Sequence, residues 1–150
     1  MTAQEYLTDR VNDQIEWYDK KSQFNQKRFK SIRVLNIILS VSIPFLTALM
    51  NDDKNTSHVL KIVIGFIGAL IAVSEAILNL YKYHENWIQY RNTAESLRHH
   101  RYLFETKTGI YANETNAFAA LVDNIENLIS KENTSWVGMN QTAKTQQQPA

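Results

Sequence analysis

The chain has 150 residues, with 16 lysines and arginines against 15 aspartates and glutamates, which makes it one domain's length and close to electrically neutral. It contains no cysteine, which excludes disulfides and thiolate metal sites and leaves the redox compartment open. A net charge of +1 also argues against nucleic acid as a partner, because such binders need a strongly basic domain or a groove-reading motif.

Leu7, Val11, Ile15 and Tyr18 stand at steps of four, four and three, the period of an amphipathic helix. Neither Gly nor Pro interrupts this stretch. The helix is predicted over about 3–33 and then straight on into the first apolar run, 34–50. That run begins too far from Met1 for a signal peptide, so no cleaved leader is expected. As helix, its 17 residues measure roughly 26 Å against a hydrocarbon core of about 30 Å. Pro44 lies inside it, removes a backbone donor, and is expected to kink the helix, which membrane spans tolerate when neighbours satisfy the freed carbonyl. After the polar stretch Asn51–His58 comes a second run, 62–81, whose 20 residues span roughly 30 Å. The pair predicts a membrane hairpin.

Beyond Tyr81 the positions Trp87, Tyr90, Ala94, Leu97, Arg101 and Phe104 alternate steps of three and four. They predict a helix, read as continuous with the membrane segment, that packs one seam against another helix, with Arg101 interrupting the stripe. Thr108 and Gly109 break it. Asn113 or Thr115 is predicted to cap a last helix carrying Phe118, Leu121, Ile125 and Leu128. The fold class expected is all-α: an integral membrane hairpin whose long amino-terminal helix enters the bilayer, with cytoplasmic helices at about 3–33 and 82–136. Residues 1–137 form one domain in this reading. From Gly138 the tail has almost nothing to bury, and disorder is expected over 138–150.

Orientation follows from lysine and arginine near the membrane ends. Lys20, Lys21, Lys27, Arg28, Lys30 and Arg33 precede the first run with no acid among them, and Lys82, Arg91, Arg98 and Arg101 follow the second. The loop offers only Lys54, beside Asp52 and Asp53, and then Lys61. Both termini are therefore expected in the cytoplasm, in a multi-pass protein of the inner cell membrane, with Tyr81, Tyr83 and Trp87 as an interfacial belt. Anionic headgroups are the expected partner of the basic stretch.

Within the second run, Gly65, Gly68, Ala72, Glu75 and Asn79 form a small and polar stripe flanked by Lys61 and Lys82, while the first run carries Arg33, Asn36, Ser40, Pro44, Thr47 and Asn51. Such stripes serve helix packing, since small residues let backbones approach, or line a water-filled path between subunits. In a homo-oligomer one stripe can do both. Glu75 lies roughly 9 Å inside the end of its helix, where an isolated carboxylate is costly. Folding the hairpin symmetrically about its loop brings Arg33 to the same level. An Arg33–Glu75 ion pair and a pore-lining carboxylate are thus competing readings.

Enzyme signatures are missing: there is no glycine-rich phosphate loop, no His-Glu-x-x-His and no nucleophile elbow. His99 and His100 point about 100° apart on a helix, and His58 and His84 fall at opposite ends of one span, so no metal site is expected. Glu85, Glu95 and Glu105 read as scattered surface charge. Neither an enzymatic activity nor a cofactor is expected.

The segment Glu85-Asn86-Trp87-Ile88-Gln89-Tyr90-Arg91-Asn92-Thr93-Ala94-Glu95-Ser96-Leu97, with Arg101-Tyr102-Leu103-Phe104, Gly109-Ile110-Tyr111-Ala112, Glu132-Asn133-Thr134-Ser135-Trp136 and the early Asp13-Gln14-Ile15-Glu16-Trp17-Tyr18, resembles the SLATT superfamily. More narrowly it is similar to the bacterial branch long catalogued as a domain of unknown function, over about residues 5–137. The resemblance implies a two-helix membrane module of prokaryotic conflict systems, found beside nucleotide-second-messenger synthases and sensor domains and acting as a pore-forming or membrane-perturbing effector. It implies no catalytic residue. Trp17, Tyr18, Trp87, Tyr90, Arg91, Glu95 and Trp136 carry over as motif residues that build and dock the cytoplasmic helices. Without the fused sensor domain of other members, the module would take its trigger from a separate sensor or signalling protein or through the module itself.

Two spans are too few to enclose an aqueous path, so a pore requires several copies around an axis. The function expected is an oligomeric, ion-conducting membrane module in a conflict or stress response. Its rival is a non-conducting anchor or scaffold that binds a partner through the cytoplasmic helices, and a third reading is a soluble bundle with an apolar central hairpin.

Overall fold

The computed structural model describes residues 2–50 and 54–145, with side chains described over 2–50 and 57–131. All regular structure among them is helical. In chain order it comprises α1 (Ala3–Glu5), a π-helical stretch (Tyr6–Val11), α2 (Asn12–Ala48), α3 (Lys54–Tyr81), α4 (Tyr83–Glu105), a 3-10 turn (Gly109–Tyr111) and α5 (Ala117–Thr145). The helices divide between two compact units, Met1–Lys21 with Gln89–Ala150, and Ser22–Ile88. α2 and α4 contribute to both.

In the first unit, Thr2 and Glu5 form a capping box: Glu5 N–H donates to Thr2 Oγ1 at 3.2 Å and Thr2 N–H donates to Glu5 Oε2 at 2.7 Å. The π-helical stretch that follows buries Tyr6, Leu7 and Val11. With Ile15 and Tyr18 these make one wall of the core, against Tyr90, Ala94 and Leu97 of α4 and Leu121 and Ile125 of α5. The three sequence stripes thus meet in one apolar cluster, and burial of such side chains stabilises by about 1.5–3 kcal/mol apiece. Arg101, which interrupts the α4 stripe, donates to Asn12 Oδ1 at 2.6 Å and to Glu105 at 2.9 Å, so its charge leaves the seam at its edge.

α4 ends in a Schellman motif, with Thr108 N–H on Leu103 O at 2.9 Å, Lys107 N–H on Phe104 O at 3.1 Å and Lys107 in the left-handed region. Gly109 is also left-handed, a conformation that favours glycine, and a Cβ there would crowd Leu103 Cδ2 at 3.2 Å. The cap of α5 is Asn116, whose Oδ1 accepts from Ala119 N–H at 3.3 Å. This corrects the expectation of Asn113 or Thr115, because Asn113 lies in a bend and Thr115 in a turn that precede the helix, which starts only at Ala117. The α5 backbone stays helical through Thr145, past the Gly138 where composition predicts the onset of disorder, and 146–150 lie outside the described residues.

In the second unit, α2 runs without a break through the basic stretch into the apolar run and includes Pro44. Its inward positions are Ile32, Asn36, Leu39, Ile43 and Leu46, and those of α3 are Ile64, Ile67, Ile71, Ser74 and Leu78. The rest of both apolar runs is largely exposed. Both helices are long and apolar enough to cross a membrane, and only 6% of each apolar window is buried. Between α3 and α4 the chain is not a continuous α-helix: Lys82 takes φ 47°, and Asn86 Nδ2 caps the freed Tyr81 carbonyl at 3.1 Å. The Lys82 N–H still reaches Leu78 O at 3.1 Å, so the break is one residue long.

Candidate functional site

The polar group of the apolar hairpin is built from four side chains on two helices. Asn36, one helical turn beyond Arg33 on α2, is 4% exposed and cannot be left unpaired there without a desolvation cost of about 1–3 kcal/mol. Its Nδ2 donates to Glu75 Oε1 at 2.9 Å, and its Oδ1 accepts from Ser74 Oγ at 2.5 Å. Arg33 Nη1 reaches the same Glu75 oxygen at 2.7 Å. The carboxylate therefore takes a charge-assisted bond and an amide bond on a single oxygen, and its charge is matched inside one chain. Chemically the group neutralises a charge beside apolar surface. It contains no nucleophile-and-base pair.

The other stripe residues are not gathered by one chain. Gly65, Gly68, Ala72, Asn79, Ser40 and Thr47 are exposed, and beyond the local helix backbone no described atom lies within 4 Å of where a Cβ on Gly65 or Gly68 would stand. The Thr47 hydroxyl turns back to its own helix, donating to Ile43 O at 2.5 Å. This stripe runs one residue out of step with the inward positions of α3, so it flanks the hairpin seam instead of filling it.

The motif residues divide between the two units. Tyr18 and Tyr90 belong to the core, and Trp17 stands edge-on to both at 4.9 and 5.9 Å. Arg91 and Glu95 pair at 3.0 Å, Glu95 also meets Arg98 at 3.1 Å, and Arg98 pairs with Asp19. In the second unit Trp87 lies edge-on to His84 at 5.6 Å with Lys30 Nζ 5.6 Å above its ring, and Phe29 packs tilted against His84 at 4.8 Å. Trp136 is part of α5, but its side chain lies outside the described residues.

Two clusters in the first unit have no counterpart in the sequence reading. Arg10 grips Glu126 with both ends of its fork, Nε to Oε1 at 3.1 Å and Nη2 to Oε2 at 3.0 Å, while Tyr6 Oη donates to Oε1 at 3.1 Å. The Arg10 hydrogen bond holds the Glu126 carboxyl below its usual range, and the same bond raises Arg10. Burial, reinforced by the Glu126 carboxylate, pushes the Tyr6 phenol up. In the second cluster, Tyr111 Oη is 2.8 Å from His100 Nδ1 and accepts from Asn124 Nδ2 at 3.3 Å. Tyr111 Oη thus bridges Asn124 and His100, with the donor in the His100 contact set by the imidazole tautomer. Burial first, and His99 second, lower the His100 pKa. Among the described residues no three His, Asp or Glu side chains converge as a metal site would require.

Residues 13–119 match a family described as "Protein of unknown function (DUF4231)". The chain belongs to that family. The match takes in the whole hairpin, α4 and the start of α5. No curated protein and no solved structure matches the chain.

Proposed function

We propose that this DUF4231 protein crosses the bilayer twice, self-associates there, and conducts ions through a path between its copies. The observation that carries the first step is the exposure of the two apolar helices. Phe45, Val41, Phe66 and Leu80 are each about two-thirds exposed or more, in windows that are only 6% buried. A soluble monomer rarely leaves such a contiguous apolar surface to water, which speaks against the soluble-bundle reading. Lysine and arginine crowding outside the apolar runs, on the flank carrying Lys27 to Arg33, supports cytoplasmic termini, anionic headgroups as neighbours and an external loop at 51–58.

Self-association is supported by the Gly65, Gly68 and Ala72 face, which is open within one chain and shaped for close helix approach. The likeness to SLATT modules adds the place of such a pore, as an effector in a bacterial conflict or stress response that answers to a separate sensor or signalling protein. The second reading, a non-conducting anchor or scaffold, is favoured by one specific observation: Arg33 matches Glu75 within the chain, which removes the net charge from any ring of carboxylates. Current recording on the purified protein in a planar bilayer separates the two. Discrete conductance steps are expected of the pore, and a silent bilayer containing inserted protein refutes it.

A further inference from the structure

A shallow, open depression of about 410 Å³, a groove along the exposed face of α2, is lined by Lys30, Ser31, Val34, Leu35 and Ile38. These residues recur at i, i+1, i+4, i+5 and i+8, so they share one face of the helix. It is turned away from the inward positions Ile32, Asn36 and Leu39. One end of the groove is a cation and a hydroxyl. The other is aliphatic for two turns, and the distance from Lys30 to Ile38 along the axis is about 12 Å.

The charge at the polar end is available. Lys20 is taken up by Glu16 at 2.6 Å and Arg33 by Glu75 at 2.7 Å. Among the described residues, by contrast, no carboxylate lies within 4.0 Å of Lys27, Arg28 or Lys30. Lys30 is also held in place, its ammonium 5.6 Å over the Trp87 ring, while Arg28 stands 5.4 Å over Phe24. A soluble anion would satisfy Lys30 and leave three aliphatic side chains uncovered. A neutral hydrocarbon would cover the side chains and leave the lysine unmatched.

We infer that this groove binds an anionic phospholipid, its phosphate on the Lys30 ammonium and Ser31 hydroxyl and the upper part of one acyl chain along Val34, Leu35 and Ile38. The inference rests on the bilayer reading above, and it adds a defined lipid site to a general attraction for anionic headgroups. Lys30 contributes the charge, Ser31 a hydrogen bond, and Trp87 the fixed position of the lysine at headgroup depth.

The test is native mass spectrometry of the full chain in mild detergent with equimolar phosphatidylglycerol and phosphatidylcholine of matched acyl chains. Phosphatidylglycerol adducts are expected to exceed phosphatidylcholine adducts by about fivefold, the effect of one lysine at a membrane surface. Lys30→Gln with Ser31→Ala should abolish that preference, Lys30→Arg should keep it, and Lys27→Gln, outside the groove, should leave it intact. Equal loss in Lys27→Gln and in Lys30→Gln would mean diffuse charge and overturn the site. Displacement of bound lipid by inorganic phosphate alone would overturn the acyl half. Recovery of the protein in the supernatant after detergent-free extraction would sink the bilayer reading itself, whereas membrane retention with equal adducts of both lipids sinks only the groove.

Discussion

The Arg33–Glu75 pair can be made to report on its own surroundings. The Arg33 side chain is 50% exposed and that of Glu75 35%, so in water the pair would be worth about 0.2–1 kcal/mol. If lipid covers the exposed part, removing one partner strands a charge, at a cost of about 3–5 kcal/mol. The two single changes should then differ. Arg33 is long and can carry its charge toward the headgroups, whereas Glu75 is short and left with only the Asn36 amide. Arg33→Gln should therefore destabilise more than Glu75→Gln. The double change should cost less than the sum of the singles by about 1–3 kcal/mol. The measurement is reversible unfolding of the four proteins in lipid nanodiscs, with reversal potentials recorded on the same set. A coupling within about 0.5 kcal/mol of zero, with the singles costing no more than an exposed aqueous pair, would refute a lipid-covered ion pair. Lower cation preference in Glu75→Gln without loss of stability would instead put the carboxylate on the conducting path.

A Cβ at Gly68 would meet no atom within 4 Å beyond its own helix backbone, so Gly68→Ile should leave helix content unchanged and shift cross-linked species toward smaller assemblies; an unchanged cross-linking ladder removes that face from the contact. Leu97→Ala, at a fully buried position of the first unit, should cost about 2–5 kcal/mol in thermal or denaturant unfolding, and a loss below about 1 kcal/mol would mean that the cluster is loosely packed. His100 is held below its ordinary pKa of about 6.5, so the folded state binds fewer protons than the unfolded one; stability should be complete above that pH and fall as the pH drops through it toward the folded value. Replacing His100 with Gln, which keeps an acceptor for Tyr111, should flatten that decline, and an identical pH profile in the variant would assign the decline elsewhere. Asn116→Ala should cost about 0.5–2 kcal/mol through loss of the α5 cap, with Asn113→Ala and Thr115→Ala near neutral.

What the sequence disclosed and what it hid divide along a physical line. The stripes Leu7 to Tyr18 and Leu121 to Ile125 were legible because helical period is local, and both stripes are buried where the period places them. The Arg33–Glu75 contact was reachable because a short loop sets the register of a hairpin and a carboxylate beside apolar surface needs a partner. The π-helical register at Tyr6–Val11 was not legible, since it places Tyr6 and Arg10 against Glu126, 120 and 116 residues further on, and no local preference reports such a distance. The α5 cap was only half legible: Asn113, Thr115 and Asn116 are all competent, but Asn113 sits in a bend and Thr115 in a turn ahead of the helix, and only Asn116 adjoins Ala117. The Gly65, Gly68 and Ala72 stripe is the deepest case. Periodicity says that these residues share a face but not what body covers it, and within one chain nothing does. A mid-helix glycine costs about 1 kcal/mol relative to alanine, and α3 carries two of the chain's four glycines with no close intrachain contact to offset them. Close approach of a second copy would offset them, which makes the Gly68 substitution the most direct test of whether this hairpin works as an assembly or alone.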